Sequence, residues 1–147
     1  KYTKSRNNYQ KKIPSQLWHG FIQSAEKHST GEIRVHIDST TDHHNAEVAF
    51  EVFKKLCKDK TAEKNAVLFH VNFGQKYLTI IGDTGIHDKV HQSYWDHLHD
   101  FITSEFAKGN YHKALKSAIL ETGIELKKHF PVTGENPNEL SNEITFS

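Results

Sequence analysis

At 147 residues the chain has the length of one domain, and its 35% hydrophobic and 25% charged content fits a soluble globular protein. A net charge of +1 at pH 7 supplies no field to steer it onto nucleic acid or an anionic membrane. Cys57 stands alone, which excludes an internal disulfide, and no run approaches the ~20 apolar residues that cross a bilayer.

Lys1 to Lys12 is polar, basic and without periodicity, so residues 1–12 are expected to be a flexible segment rather than a secretory signal. Pro14 suits a first helical turn; Leu17, Phe21, Ile22 and Ala25 mark one apolar face, and Gly31 supplies the stop. From Glu32 the period falls to two. Ile33, Val35 and Ile37 point one way, with Glu32, Arg34, His36 and Asp38 the other, as in a strand with one apolar face.

After the polar loop Ser39–Asn45, the residues Ala46, Ala49, Phe50, Phe53 and Leu56 predict a second helix. The apolar run Ala66–Val71 reads as a central strand, and Lys76–Ile81 returns antiparallel to it through a hairpin. Asp83–Asp88 reads as a glycine-bearing loop. A helix from about Lys89 would bury Tyr94, Trp95, Phe101 and Phe106 as core, and Asn110 would cap a last helix that Pro131 ends. A domain over residues 13–131 is followed by an acidic tail, 132–147, in which Ile144–Phe146 is a patch able to dock. A strand–helix–strand unit with helices on both faces predicts an α/β/α sandwich around a mixed sheet of three strands and a further one at an edge.

This topology has a chemical consequence. The two parallel strands start at one rim, at Gly31-Glu32 and Lys64-Asn65, and the antiparallel strand ends there, at Gly82-Asp83. Glu32 and Asp83 are hard oxygen ligands for Ca²⁺ or Mg²⁺, whereas Lys64 and backbone N–H groups around Gly82 and Gly85 suit phosphate oxygens. The bland alternative is that Asp–x–Gly is a turn and Gly31 a helix cap.

Several segments carry a resemblance. Ser29-Thr30-Gly31-Glu32-Ile33-Arg34-Val35-His36-Ile37, Asn65-Ala66-Val67-Leu68, Ile81-Gly82-Asp83-Thr84-Gly85-Ile86, Trp95 and Phe106-x-x-Gly109-Asn110-Tyr111 resemble the TPM domain family. That family includes thylakoid-lumen phosphatases of photosystem II repair and many bacterial envelope proteins. Phe130-Pro131 and Asn138–Ile144 resemble a stand-alone bacterial branch of it. The resemblance implies a Rossmann-like sandwich with a four-stranded sheet, phosphate-ester or nucleotide hydrolysis in some members, and divalent-ion binding in several. Glu32, Asn65 and Asp83 fall in the shared segments. Ala66 stands where the family usually has Gly, and Lys64, which lacks the bidentate fork of Arg, where this branch often has Arg. The signal and membrane segments of many relatives are missing, which predicts a cytoplasmic stand-alone domain.

Other constellations have two readings each. His87 and His91 sit at a zinc-compatible spacing but lack the protease Glu. Asp83 and Asp88, with Gly85 between them, could share a cation, joined by Glu139 if the tail folds back; Glu135, Glu139 and Glu143 are otherwise solvated charges. Twelve histidines read as a solvated surface, with pH sensing as the sharper alternative.

Three functions compete. The first is a metal-assisted phosphatase in which Glu32, Lys64 and Asp83 are catalytic, Thr30, Asn65, Gly82 and Gly85 meet a small phosphate ester or nucleotide, and Glu32, Asp83, Asp88 and Glu139 hold Ca²⁺ or Mg²⁺. The second is a non-catalytic module whose Ca²⁺ binding regulates a protein partner. The third is a structural domain without an ion. A monomer is expected in each case.

Overall fold

A computed structural model describes residues 15–39, 44–132, 140, 142 and 144–147. Its elements run α1 (Ser15–Glu26), β1 (Glu32–Ile37), α2 (Asn45–Leu56), β2 (Ala66–Asn72), β3 (Tyr77–Gly82), α3 (Thr84–Ala107), α4 (Tyr111–His129) and β4 (Thr145–Phe146). The sheet order is β3-β2-β1-β4, with β1 parallel to β2 and β4 and β2 antiparallel to β3. This is the expected α/β/α sandwich with a mixed four-stranded sheet. The Rossmann likeness is loose, because β1–α2–β2 is the one place among the described residues where a helix joins neighbouring parallel strands. The fourth strand comes from the tail: Thr145 sits opposite His36 and Phe146 opposite Ile37.

Strand alternation sorts the core into two layers. Ile33, Val35 and Ile37 with Val67, Phe69 and Val71 meet Trp18 and Ile22 of α1, Ile102 of α3, and Leu115 and Ile119 of α4. On the other face Phe53 and Cys57 pack on Ala66 and Leu68, with Leu140 against them. Close backbone approach matters at Gly123, where a Cβ would stand 2.4 Å from the Ala25 carbonyl.

The polar face of β1 lies inside the fold, with Glu32, Arg34, His36 and Asp38 all buried. Several expectations need correction. The histidines are not all at the surface, since His36 and His70 stack within the fold at 5.4 Å between ring centroids. The Asp83–Asp88 segment is the start of α3 rather than a loop, because Asp83 caps it by accepting the Thr84 N–H at 2.8 Å. His91 then interrupts α3 with a left-handed backbone, φ 66°.

Gly31 is no helix cap. His28 adopts the positive φ after α1, and Gly31 is required by the Leu126 side chain, 2.5 Å from where its Cβ would be. The Asn110 side chain does not cap α4 but donates to Glu105 Oε2 at 2.9 Å. Phe101, expected in the core, is 45% exposed, and Phe50 of α2 is exposed as well. The expectations for Lys1 to Lys12, Pro14, Glu135, Glu139 and Glu143 lie outside the described residues, as does the side chain of Leu17. Among the described residues no helix is long and apolar enough to cross a membrane.

Candidate functional site

The rim nominated by topology is built as follows. Glu32 opens β1 opposite Ala66, which opens β2, and the Asp83 N–H extends the β2–β3 ladder by donating to the Ala66 carbonyl at 2.9 Å. Since the pleat alternates, Glu32, Ala66 and Asp83 lie on one face in one row across the sheet. Two strand spacings, about 10 Å of backbone, separate the two acidic residues. The Ala66 methyl between them is buried under Phe53 and Cys57.

Asp83 is buried and its two oxygens have separate duties. One accepts the Thr84 N–H, and the other accepts the Asp59 N–H at 2.9 Å, which ties the α2–β2 loop to the head of α3. That loop is further held by its carbonyls. Lys64, at φ 52°, accepts from the Gly85 N–H at 2.7 Å and the Ile86 N–H at 3.3 Å. The Gly85 N–H is therefore turned to Lys64 rather than offered to a phosphate. Position 85 must be glycine for a steric reason, since a Cβ would lie 2.0 Å from the Glu63 carbonyl oxygen. Gly82 likewise gives room to the Trp95 ring. The Lys64 ammonium is exposed and pairs with Asp59 at 3.6 Å. Asp88 is exposed on α3.

Thr30 and Asn65 join the loops preceding β1 and β2. The Asn65 side chain donates to Thr30 Oγ1 at 3.0 Å and accepts from the Thr61 hydroxyl at 3.0 Å, and Thr30 donates to the Glu63 carboxylate. Asn65 is fully buried, so this network sets the shape of the rim.

Glu26, at the end of α1, was not nominated from sequence. It is 5% exposed, accepts the Ile33 N–H at 2.7 Å and hydrogen-bonds Glu32, which is 1% exposed and accepts the Leu140 N–H at 3.2 Å. Burial and then the Glu32 charge push the Glu26 carboxyl up to about 9, tempered by the Ile33 N–H and Arg34. The pair shares a proton at neutral pH. Its signal in the sequence was the spacing of four from Ile22, which puts Glu26 on the buried stripe. Beneath the same face, burial raises the Cys57 thiol to about 12.

A second polar cluster occupies the opposite rim. His36 contacts the Thr145 and Ser147 hydroxyls at 2.6 and 2.7 Å, and His70 stands 3.3 Å from Asp38. Burial drives His36 down to about 4, with His70 adding to it, and lowers His70 as well, against the pull of Asp38. The carboxyl ends of β1 and β4, where open sheets usually receive ligands, are thus stitched by the chain itself. At the head of α3, His87 Nδ1 accepts the Trp95 indole N–H at 3.1 Å. Among the described residues no three His, Cys, Asp or Glu side chains gather as a ready-made metal cage.

The comparisons agree with this architecture. A family model described as the TPM domain matches residues 18–123. The NMR structure of BA42 from the psychrophilic bacterium Bizionia argentinensis is similar, with a TM-score of 0.79 and 34% identity over 90% of this chain and 92% of that one. The N-terminal domain of a P. gingivalis protein shares the fold, with a TM-score of 0.63 and 17% identity over 81% and 79% of the two chains. No curated protein matches. With a family model spanning most of its length and a solved relative at this identity, the chain belongs to the TPM domain family.

Proposed function

We propose that this TPM domain binds a divalent cation, Ca²⁺ or Mg²⁺, at the rim where α1 delivers Glu26 against Glu32, and that binding regulates a protein partner rather than a reaction. One observation carries the reading: two buried carboxyl groups in direct hydrogen-bond contact. Such a pair suits a hard cation, for which one or two carboxylates with waters suffice. Glu26 and Glu32 would hold it, and Asp83 would add negative charge from two strand spacings away while its oxygens stay on the Thr84 and Asp59 N–H groups. Glu32 would then exchange its bond to the Leu140 N–H, so the tail would respond to the ion. Asp88, exposed on α3, would be an outer ligand at most.

A phosphohydrolase is the second reading, favoured by the exposed Lys64 ammonium at the same rim. Lys64 would offset charge on a phosphoryl oxygen, with Thr30 and Asn65 beside it, while the ion would polarise the phosphoryl group.

Calorimetry with CaCl₂ and MgCl₂ at pH 7.5, in two buffers of different ionisation enthalpy, tests the first reading. Binding should release about one proton, and Glu32→Gln should abolish the heat. Titrations that are flat, or that Glu32→Gln and Glu26→Gln leave unchanged, overturn it. Turnover of p-nitrophenyl phosphate that needs metal and is lost in Lys64→Ala would favour hydrolysis instead.

A further inference from the structure

The seam between α3 and α4 opens along the middle of the two helices, between residues 93–101 and 117–125. Near their connection the helices are closed by Phe106 against Tyr111, with ring centroids 5.1 Å apart. Farther along, small side chains on α4 face large ones on α3, and a cavity of about 630 Å³ remains, floored by Tyr94, Leu98, Phe101 and Ala118. That volume is in the range of small-ligand sites. Leu98, Ile102 and Phe106 are buried on α3, yet Phe101 stands 45% exposed into this opening.

Its charge has one sign. Glu121 and Glu125, one turn apart on α4, are the acidic side chains that line it, with no lysine or arginine among the described lining residues and His97 the one basic group. Glu125 is only 21% exposed, which weakens the solvent screening of its carboxylate, and His129 at 3.4 Å is the partner with which an incoming ammonium would compete. Aromatic faces at Tyr94 and Phe101 attract both an aryl group and an ammonium.

From this apolar floor beside paired carboxylates, we infer that the α3–α4 groove is a binding site for a small organic cation with an apolar body and one ammonium head, of the arylalkylamine class. The body lies on Leu98 and Ala118 between the two aromatic rings. The head reaches Glu121 and Glu125. This site is independent of the cation rim.

The test is an NMR titration of the full chain with three probes that share one body: 4-phenylbutylamine, 4-phenylbutanol and 4-phenylbutyrate. Amide shifts should be confined to residues 93–101 and 117–125, with the amine binding at least about tenfold more tightly than the carboxylate. Glu121→Gln/Glu125→Gln should bring the amine within about twofold of the alcohol, and Phe101→Ser should weaken all three. Ser117→Phe, at an exposed position on the groove wall, should block binding while leaving the melting temperature unchanged. Equal affinity for amine and carboxylate, shifts on another surface, no shift at about 10 mM amine, or a dimer that covers Phe101 would each overturn the inference.

Discussion

Glu26→Gln replaces a buried, protonated carboxyl by a neutral group of the same shape, and its effect can be worked out in advance. The folded carboxyl titrates near 9 against an ordinary 4.5. Between those values the folded state holds a proton that the unfolded chain has lost, so stability falls as pH rises, by about 1.4 kcal/mol per pH unit. Above the folded value the loss is complete. His36 acts with the opposite sign in another window: its folded value near 4 lies below the ordinary 6.5, so its contribution is lost as pH falls from 6.5 toward 4, and His70 adds in the same direction. From pH 7 to 8.5 His36 and His70 are therefore silent and Glu26 dominates the slope, about 2 kcal/mol in total, with the raised Cys57 thiol adding a small part near pH 8.5. Urea denaturation in EDTA across that interval should show this decline in the native protein and a nearly flat line in Glu26→Gln. Equal slopes in both would refute the shared proton.

Three other perturbations probe the geometry around the rim. Gly85→Ala would drive a methyl into the Glu63 and Lys64 carbonyls, and a loss of at least about 3 kcal/mol is expected in urea denaturation; a loss under 1 kcal/mol would mean the loop is not packed as described. Asp83→Ala removes the cap of α3 and strands the Asp59 N–H, which should cost about 2–3 kcal/mol, whereas Asp83→Asn keeps one acceptor and should cost about half as much. Equal costs for the two variants would dissociate the carboxylate from its donors. His91→Gly relieves a left-handed backbone at an exposed position and should raise stability by about 1 kcal/mol, read as a higher melting temperature; a lower one would count against the kink.

Much of this architecture is legible from local rules, and the failures are instructive. Alternation at Ile33, Val35 and Ile37 and the run Ala66–Val71 locate two strands, and a parallel pair with an antiparallel neighbour is enough to send Glu32, Lys64 and Asp83 to one rim. Periodicity does not say what covers a strand. Alternation marks Arg34, His36 and Asp38 as the polar face without saying what meets it; here Phe53, Cys57, Leu140 and the Thr145 and Ser147 hydroxyls close on that face. Gly85 suggests a loop by composition, while its actual constraint is an approach to a carbonyl from another element, which one-dimensional spacing cannot reveal. Glu26 was within reach of the helical period, four residues from Ile22, but no motif singles it out. Phe101 followed the period and is nevertheless exposed, since Ala118 and Ser117 leave the facing helix short of atoms to cover it.

The position of β1 between β2 and β4 has a kinetic consequence. Its contacts with the tail, such as His36 to Thr145, close a loop of 109 residues. Closure entropy at that separation is paid before the pairing returns anything, so this edge should assemble after the β1–β2–β3 ladder and slow the last phase of folding. A chain emerging from the ribosome would carry β1 with one flank bare until residues 145 and 146 arrive, the interval in which unwanted strand partners are most easily recruited.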